Sequence, residues 1–181
     1  MTQRPLCFVL MPFGTKPAAA GATIDFDAVY KELIRPAVEA AGHEPLRADE
    51  EMTGGVIHKP MFERLILCDF AVADLTTANA NVFYELGVRH AVRPWSTVLL
   101  FAQGGTQLPF DVAPLRAIPY RLTPGGTPDS LETAQGLISR RLQEARNESA
   151  DSPIFQLVEG FPDIQHLKTD GYRWRSRLGW G

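Results

Sequence analysis

Hydrophobic residues in this chain form short continuous runs that alternate with longer segments in which apolar residues recur at helical intervals. The short runs predict strands, because an unbroken apolar run of this length is typical of a strand buried on both faces of a parallel sheet. In chain order the predicted strands cover 6–11, 43–47, 70–73, 97–101 and 117–122, with the last of them at an edge of the sheet.

The longer segments predict four helices, over 25–42, 56–67, 79–94 and 130–147. Asp25 and Asn79 are natural N-caps for the first and third of these helices. Pro36 must kink or break the first helix, because proline lacks the N–H group that an interior position donates. Residues 15–24 are rich in alanine and glycine and show no periodicity, so they predict a mobile loop after the first strand.

Strands and helices alternate throughout residues 1–149, which predicts one α/β domain. We expect a doubly wound, mostly parallel sheet of four to five strands with helices on both faces. A length of 181 residues with 45% hydrophobic content suits a single core of this kind. Residues 150–181 form a C-terminal extension of undefined role, which we expect to pack on the domain or to continue into another one.

Net charge and cysteine content narrow the classes of function. A formal net charge of −3 and a pI near 5.8 provide no cationic field for a polyanion, so we expect neither nucleic-acid nor membrane binding. The two cysteines, Cys7 and Cys68, each adjoin an apolar run, which favours buried thiols in a reducing compartment. The first apolar run is too short for a signal peptide or a membrane span. We therefore expect a cytoplasmic protein.

Candidate binding residues cluster where the predicted strands end. The carboxyl ends of parallel strands meet at one edge of the sheet, and ligands bind beyond that edge. The residues that follow the first three strands or open the third helix are Pro12, Phe13, Gly14, Arg47, Asp49, Asp74, Asn79 and Asn81. Backbone N–H groups at the turn 12–14 or at a helix start are candidate donors for binding a phosphate.

Glu85 is the candidate catalytic residue of the third helix. It lies about one turn after Asn81, so the two side chains project from the same helix face. One interpretation makes it a surface carboxylate paired with Arg89, four residues further on. The apolar neighbours of Glu85 favour another interpretation, since a carboxylate in such surroundings needs partners or a raised pKa.

The other candidates also have structural alternatives. Asp74 is as well suited to closing a turn after the third strand as to touching a ligand. Asn79 is explained by helix capping alone. Arg47 and Asp49 are close enough in sequence to pair across a loop.

Several stretches together resemble a known family. In chain order they are Met11-Pro-Phe-Gly14, Phe26-Asp27-Ala-Val-Tyr30, Arg47-Ala-Asp49, Asp69-Phe-Ala-Val-Ala-Asp74-Leu-Thr76 and Asn79-Ala-Asn81-Val-Phe-Tyr84-Glu85-Leu-Gly87. Over residues 7–120 the chain resembles the nucleoside 2-deoxyribosyltransferase-like superfamily, which is related in fold to Toll/interleukin-receptor (TIR) domains. It is also similar to the segment preceding the kinase domain in certain stress-activated kinase kinases, where the same fold serves binding.

The resemblance implies a flavodoxin/TIR-like fold and a role for each matched residue. Glu85 takes the place of the nucleophile that attacks the anomeric carbon, and Asp74 that of the aspartate that protonates or orients the base. Asn79 or Asn81 would hydrogen-bond the sugar hydroxyls, and Tyr84 would lie on the substrate side.

These expectations converge on cleavage of an N-glycosidic bond in a nucleoside, nucleotide or NAD-type substrate. The sugar develops positive charge as the bond breaks, so a carboxylate beneath it either bonds to it or stabilises the charge. The alternative is a non-catalytic nucleotide-binding or oligomerising signalling module. We expect no cofactor and no metal, because His43, His58, His90 and His166 are dispersed without ligand spacing. A homo-oligomer is expected in either case.

Overall fold

The apolar runs of the sequence form the strands of the computed structural model, which describes residues 4–18, 21–48, 58–93, 95–104 and 116–145. The strands in chain order are β1 (Leu6–Leu10), β2 (Thr15–Pro17), β3 (Thr23–Asp25), β4 (Glu44–Arg47), β5 (Phe70–Asp74), β6 (Thr97–Ala102), β7 (Ile118–Leu122) and β8 (Pro128–Asp129). The predicted boundary at 149/150 and the whole C-terminal extension lie outside the described residues.

Six of these strands form one sheet in the order β4-β1-β5-β6-β7-β8, and all pairs are parallel except the last. The prediction of an α/β fold with a mostly parallel sheet is confirmed. The prediction that the strand over 117–122 lies at the edge is wrong, because β8 pairs antiparallel with β7 and takes the edge position itself. A two-residue strand leaves almost no apolar pattern to detect.

The described residues contain four helices, three of them between strands and the last after β8. Helix α1 runs through three consecutive segments, an α-helix at Phe26–Ala28, a π-helix at Val29–Ile34 and an α-helix at Arg35–Ala40. The other helices are α2 (His58–Leu67), α3 (Ala80–Val92) and α4 (Leu131–Glu144).

The π-helical segment of α1 explains how the helix tolerates Pro36. The Arg35 N–H donates to the Tyr30 carbonyl, five residues back, so the hydrogen-bond pattern widens just before the proline. Pro36 then falls at the start of the final segment, directly after this widened turn. The helix is therefore continuous, and its widened turn is a type of irregularity often found near functional sites.

The core has two layers, one on each face of the sheet. Successive residues of β1 point into different layers. Val9 packs with α1 and α4, whereas Phe8 packs with α2 and α3. Val72 and Ala73 of β5 divide in the same way. A strand whose successive side chains are both covered carries an unbroken apolar run, which is the pattern seen in the sequence.

Residues 15–24 contain structure that the sequence pattern does not predict. Strands β2 and β3 pair antiparallel as a small separate hairpin, and the Ala18 N–H donates to the Ala22 carbonyl within it. The Asp25 N–H donates to the Gly126 carbonyl at 2.9 Å, which joins the hairpin to the turn before β8. The prediction of a loop over 15–24 is therefore wrong at both of its ends, which form β2 and β3, because the backbone pairing of this short hairpin needs no periodic apolar pattern.

None of the helices in the described ranges is both long and apolar enough to cross a lipid bilayer.

Replacing Gly126 by alanine should destabilise the protein through the hairpin contact. Gly126 has φ +82, and an added Cβ would meet the Thr23 carbonyl oxygen at 2.0 Å. We expect the free energy of unfolding to fall by about 2–4 kcal/mol, measured by urea denaturation. The matched control is Gly125→Ala, whose nearest contact would be the Thr123 hydroxyl at 3.6 Å, and which should change stability by less than about 1 kcal/mol. Equal effects of the two variants would contradict the contact.

Candidate functional site

The candidate site lies at the carboxyl edge of the sheet, where the strand order reverses. The chain passes from β1 to β4 on one side and then returns to β5 on the other side of β1. Such a reversal separates the loops that follow β1 and β5 and leaves a crevice for a ligand. The turn after β1 and the segment from β5 into α3 lie at this edge, and they contain most of the predicted site residues.

Arg47, at the end of β4, is held against α1. Its Nη1 donates to Asp27 Oδ1 at 2.7 Å, and its guanidinium carbon lies 4.6 Å from the centre of the Tyr30 ring and 5.5 Å from that of Phe13. The Arg47 side chain is buried, whereas that of Asp27 is 41% exposed. The predicted partner Asp49 lies outside the described residues, and Asp27 is the partner that the structure provides.

The turn at residues 12–14 is fastened to the start of α1. Gly14 has φ +62, a conformation that favours glycine. Its N–H donates to Asp27 Oδ1 at 3.2 Å, and its carbonyl accepts from the Phe26 N–H at 3.1 Å. Pro12 is buried beneath the turn and Phe13 is 37% exposed. A phosphate at this turn would lack the Gly14 N–H as a donor, because that group already donates to Asp27. The negative charge of the Asp27 carboxylate would also repel it.

Asp74, at the end of β5, is enclosed in a network of hydrogen bonds. Its Oδ1 accepts from the Thr76 N–H at 2.9 Å and from the Thr76 hydroxyl at 2.5 Å, and its Oδ2 accepts from the Tyr120 hydroxyl at 2.8 Å. The Ala102 N–H donates to the Thr76 hydroxyl oxygen at 2.9 Å, which ties the network to β6. Burial raises the pKa of Asp74, and the bonds from Thr76 and Tyr120 oppose that rise.

This arrangement favours the turn-closing interpretation of Asp74. The residue is 1% exposed and both carboxylate oxygens have protein donors, so it meets no ligand in this conformation. Asp74 lies two residues after Val72 and therefore projects from the same face of the sheet, the face covered by α1 and α4. Tyr120, its partner, belongs to the core layer on that face.

Glu85 approaches the edge from the opposite face. It lies on α3, about 7.5 Å along the axis from the first residue of the helix, and its neighbours Val82 and Leu86 are buried in the core layer below α2 and α3. Its side chain is half-buried, and no hydrogen bond or ion pair engages the carboxylate within the described parts of the chain. Desolvation by the surrounding protein raises the pKa of Glu85 to about 7, from an ordinary value of 4.5.

The ion pair between Glu85 and Arg89, which the alternative interpretation of Glu85 requires, does not form. Arg89 is fully buried and donates to the Leu65 carbonyl at 2.9 Å, the Cys68 carbonyl at 2.7 Å and the Ser96 hydroxyl at 2.8 Å. Carbonyls at the end of a helix lack partners within it, so Arg89 caps the C-terminus of α2. It is thereby turned away from Glu85.

Three further predicted residues lie at the start of α3. Asn79 is the N-cap, and its side-chain oxygen accepts from the Asn81 N–H at 2.9 Å and from the Val82 N–H at 3.3 Å. Asn81 is exposed. Tyr84 is 61% exposed, and its ring meets that of Phe62 edge-on at a centroid distance of 6.2 Å. The capping role of Asn79 is confirmed, and all three residues lie on the same short stretch as Glu85.

Some residues of the site carry no strong signal in the sequence. Thr76 was detectable, because an aspartate followed two residues later by threonine often closes a turn through its side chain. Asp27 belongs to one of the stretches that carry the resemblance, but its local pattern shows only an acid in the first turn of a helix. In the sequence, Tyr120 and Tyr30 look like ordinary core residues. Their partners, Asp74 and Arg47, lie on other strands, and no local pattern indicates those contacts. Among the described residues, no group of three histidine, cysteine, aspartate or glutamate side chains is placed to hold a metal ion.

Comparison with models of protein families, with curated protein sequences and with solved structures finds no match to this chain.

Replacing Tyr120 by phenylalanine tests the network around Asp74. The change removes the donor to Asp74 Oδ2 and leaves a buried carboxylate with one partner fewer. We expect the free energy of unfolding to fall by about 1–3 kcal/mol at pH 7, measured by urea denaturation. Tyr84→Phe is the control, because that side chain is 61% exposed, and it should change stability by less than about 0.5 kcal/mol. No loss in Tyr120→Phe would show that the hydroxyl is dispensable.

Replacing Glu85 by glutamine tests the raised pKa without reference to activity. A folded-state pKa of about 7, against 4.5 ordinarily, means that the folded protein holds the proton more tightly than the unfolded chain. The resulting stabilisation is complete below the lower value and is lost as pH rises through the higher one. Glu85→Gln should therefore unfold like wild type in acid and be more stable by about 1–2 kcal/mol at alkaline pH, after allowance for solvent screening.

The comparison requires urea denaturation of both proteins across that pH range. Exposed Glu32 on α1 provides the control, and Glu32→Gln should follow the wild-type pH profile. A Glu85→Gln profile parallel to that of wild type would refute the raised pKa.

Proposed function

We propose that the protein cleaves an N-glycosidic bond in a nucleoside, a nucleotide or an NAD-type dinucleotide. Glu85 acts either as the nucleophile that bonds to the anomeric carbon or as the anion that stabilises the oxocarbenium-like sugar. Water then completes a hydrolysis, or another acceptor completes a transfer.

The observation that carries this proposal is the state of the Glu85 carboxylate. It is partly desolvated, it has no partner among the described residues, and it stands near the start of a helix that opens at the edge crevice. A half-buried carboxylate without partners is unfavourable for stability, which is typical of a group retained for function. Its pKa of about 7 leaves a substantial ionised fraction at neutral pH, and desolvation makes that anion more reactive toward a developing cation.

The geometry of Asp74 favours one kind of leaving base. A purine or pyrimidine base leaves more readily when an acid donates a proton to it, yet both oxygens of Asp74 are already bonded within the protein. Asp74 also projects from one face of the sheet, whereas the helix that carries Glu85 packs over the other face. A nicotinamide ring is cationic while bonded to ribose, and it takes the bonding electron pair and departs neutral without a proton. Within the proposed substrates we therefore favour the NAD type, and Asp74 has a positioning role.

We also infer that the fold is the doubly wound, flavodoxin/TIR-like arrangement. The five parallel strands have the order second, first, third, fourth, fifth along the chain, as in flavodoxin-like sheets. Helices pack on both faces. Cys7 and Cys68 are both buried, which supports a cytoplasmic location.

A second function is favoured by a different observation. Tyr84, next to Glu85 in sequence, is 61% exposed, and Ile66 on α2 is 37% exposed. Exposed aromatic and aliphatic side chains are enriched at protein contacts. The alternative is accordingly a nucleotide-binding or oligomerising signalling module in which Glu85 contacts a ligand that is not cleaved.

Chromatography after incubation with nucleosides, nucleotides and NAD tests the catalytic proposal. We expect release of a free base, with NAD giving nicotinamide, and we expect the rate to rise with pH through about 7 as Glu85 ionises. Glu85→Gln should lower the rate by about a thousandfold or more while leaving the fold intact, because glutamine is nearly isosteric but cannot supply the anion. Glu32→Gln is again the matched control and should retain activity.

Unchanged base release by Glu85→Gln would refute the role of Glu85. Saturable binding of one of these compounds, with no product after long incubation, would support the binding module instead. Sedimentation analysis with and without that compound would then show whether binding drives assembly into a homo-oligomer.

A further inference from the structure

The Asp27 carboxylate has one oxygen that is fully engaged and one that is not. A carboxylate offers about two acceptor positions on each oxygen. Oδ1 uses both of its positions, for Arg47 Nη1 at 2.7 Å and for the Gly14 N–H at 3.2 Å. No hydrogen bond reaches Oδ2 within the described parts of the chain, and the side chain is 41% exposed. Oδ2 thus keeps two open acceptor positions on a side chain that is partly exposed. The bonds to Oδ1 fix the orientation of the carboxylate, and so of Oδ2 as well.

The charge at this place selects the chemistry of a ligand. The bond from Arg47 lowers the pKa of Asp27, as does the bond from Gly14, so the carboxylate is ionised at neutral pH and only accepts hydrogen bonds. The buried guanidinium of Arg47 neutralises its charge, which removes the attraction for a cation. A phosphate would be repelled by the nearer carboxylate. Neutral hydroxyl donors remain, and their bonds to an ionised acceptor are stronger than those between neutral groups.

Phe13 supplies an apolar surface beside these acceptors. It directly precedes Gly14, whose N–H is bonded to Asp27, and its ring is 37% exposed although Arg47 lies near it. An aromatic ring at an open edge is suited to stacking against a flat base. Because Gly14 and Arg47 hold the turn in place, the ring is positioned before a ligand arrives, which lowers the entropy lost on binding.

We propose that Asp27 and Phe13 form a ribose-recognition subsite, in which Asp27 Oδ2 accepts from the vicinal 2′- and 3′-hydroxyls and Phe13 stacks against the attached base. The two free acceptor positions match the two hydroxyls of a ribose, whereas a 2′-deoxyribose offers only one. The subsite rests on the proposed function for its ligand class, and it makes that ligand a ribonucleoside or a derivative of one. Asp27 is then a specificity-determining residue rather than a catalytic one.

Ligand-observed NMR on the full chain tests the subsite, because it detects weak binding and needs no turnover. The probes are adenosine, guanosine and cytidine, each with its 2′-deoxy counterpart, together with NAD. In the wild-type protein we expect at least one ribonucleoside to bind about tenfold or more tightly than its 2′-deoxy form, as the loss of one charge-assisted hydrogen bond implies.

Two variants separate the parts of the subsite. Asp27→Asn should weaken the ribonucleoside by about a hundredfold and the 2′-deoxy form by about tenfold, because the first loses two charge-assisted bonds and the second loses one. Phe13→Ala, which leaves the Asp27 bonds in place, should weaken both forms equally. Exposed Glu32→Gln should change neither, and circular dichroism checks that each variant is folded. If Asp27→Asn does not fold, the subsite is still tested by two results: the preference of the wild-type protein for the ribo form, and the equal weakening of both forms by Phe13→Ala.

Three results would overturn the subsite: equal binding of the ribo and 2′-deoxy forms, equal weakening of both by Asp27→Asn, or no binding by any probe. Base release without a preference for ribose would overturn the subsite and leave the catalytic proposal standing. Ribose-selective binding without base release would support the subsite and overturn the catalytic proposal.

Discussion

Parallel pairing on both sides of β1 is the constraint on which the candidate site depends. Val9 lies opposite Arg47 of β4 on one side and opposite Val72 of β5 on the other, so the three strands end at nearly the same height. Parallel strands in register bring the loops that follow them to one edge. A shift of one residue in either pair would turn every side chain to the other face and separate the site residues.

The two faces of the sheet contribute different properties to that edge. On the face covered by α1 and α4, Arg47 and Asp74 are buried and bonded to protein partners, and Asp27 accepts from Arg47 through Oδ1. On the face covered by α2 and α3, Glu85 has no partner among the described residues, while nearby Arg89 is committed to the end of α2. Polar groups with protein partners thus lie at the same edge as a carboxylate that has none, and such an arrangement can preorganise a ligand without neutralising the reactive group.

The irregular turn of α1 also contributes to the site. Its π-helical segment contains Tyr30, whose ring lies 4.6 Å from the Arg47 guanidinium carbon, and it accommodates Pro36 one turn later. The start of the same helix presents Asp27 to both Arg47 and Gly14. One helix thus connects the ends of β1 and β4, and the hairpin held by Gly126 covers its first residues.

The sequence by itself determined the elements whose pattern is local. Buried strands such as β1 and β5 appear as unbroken apolar runs because both their faces are covered. Asn79 predicts the start of α3 because an N-cap bonds to residues only two or three positions further on. The position of Glu85 on that helix follows from the same pattern.

Only the tertiary structure decided which partner each polar group has. Asp74 bonds to Tyr120 across 46 residues and Arg47 to Asp27 across 20. The hairpin β2–β3 is ordered by Gly126, far along the chain. Hydrogen bonds and ion pairs depend on distances of a few ångström in space, and a pattern along the chain does not contain those distances when the partners come from different strands and helices.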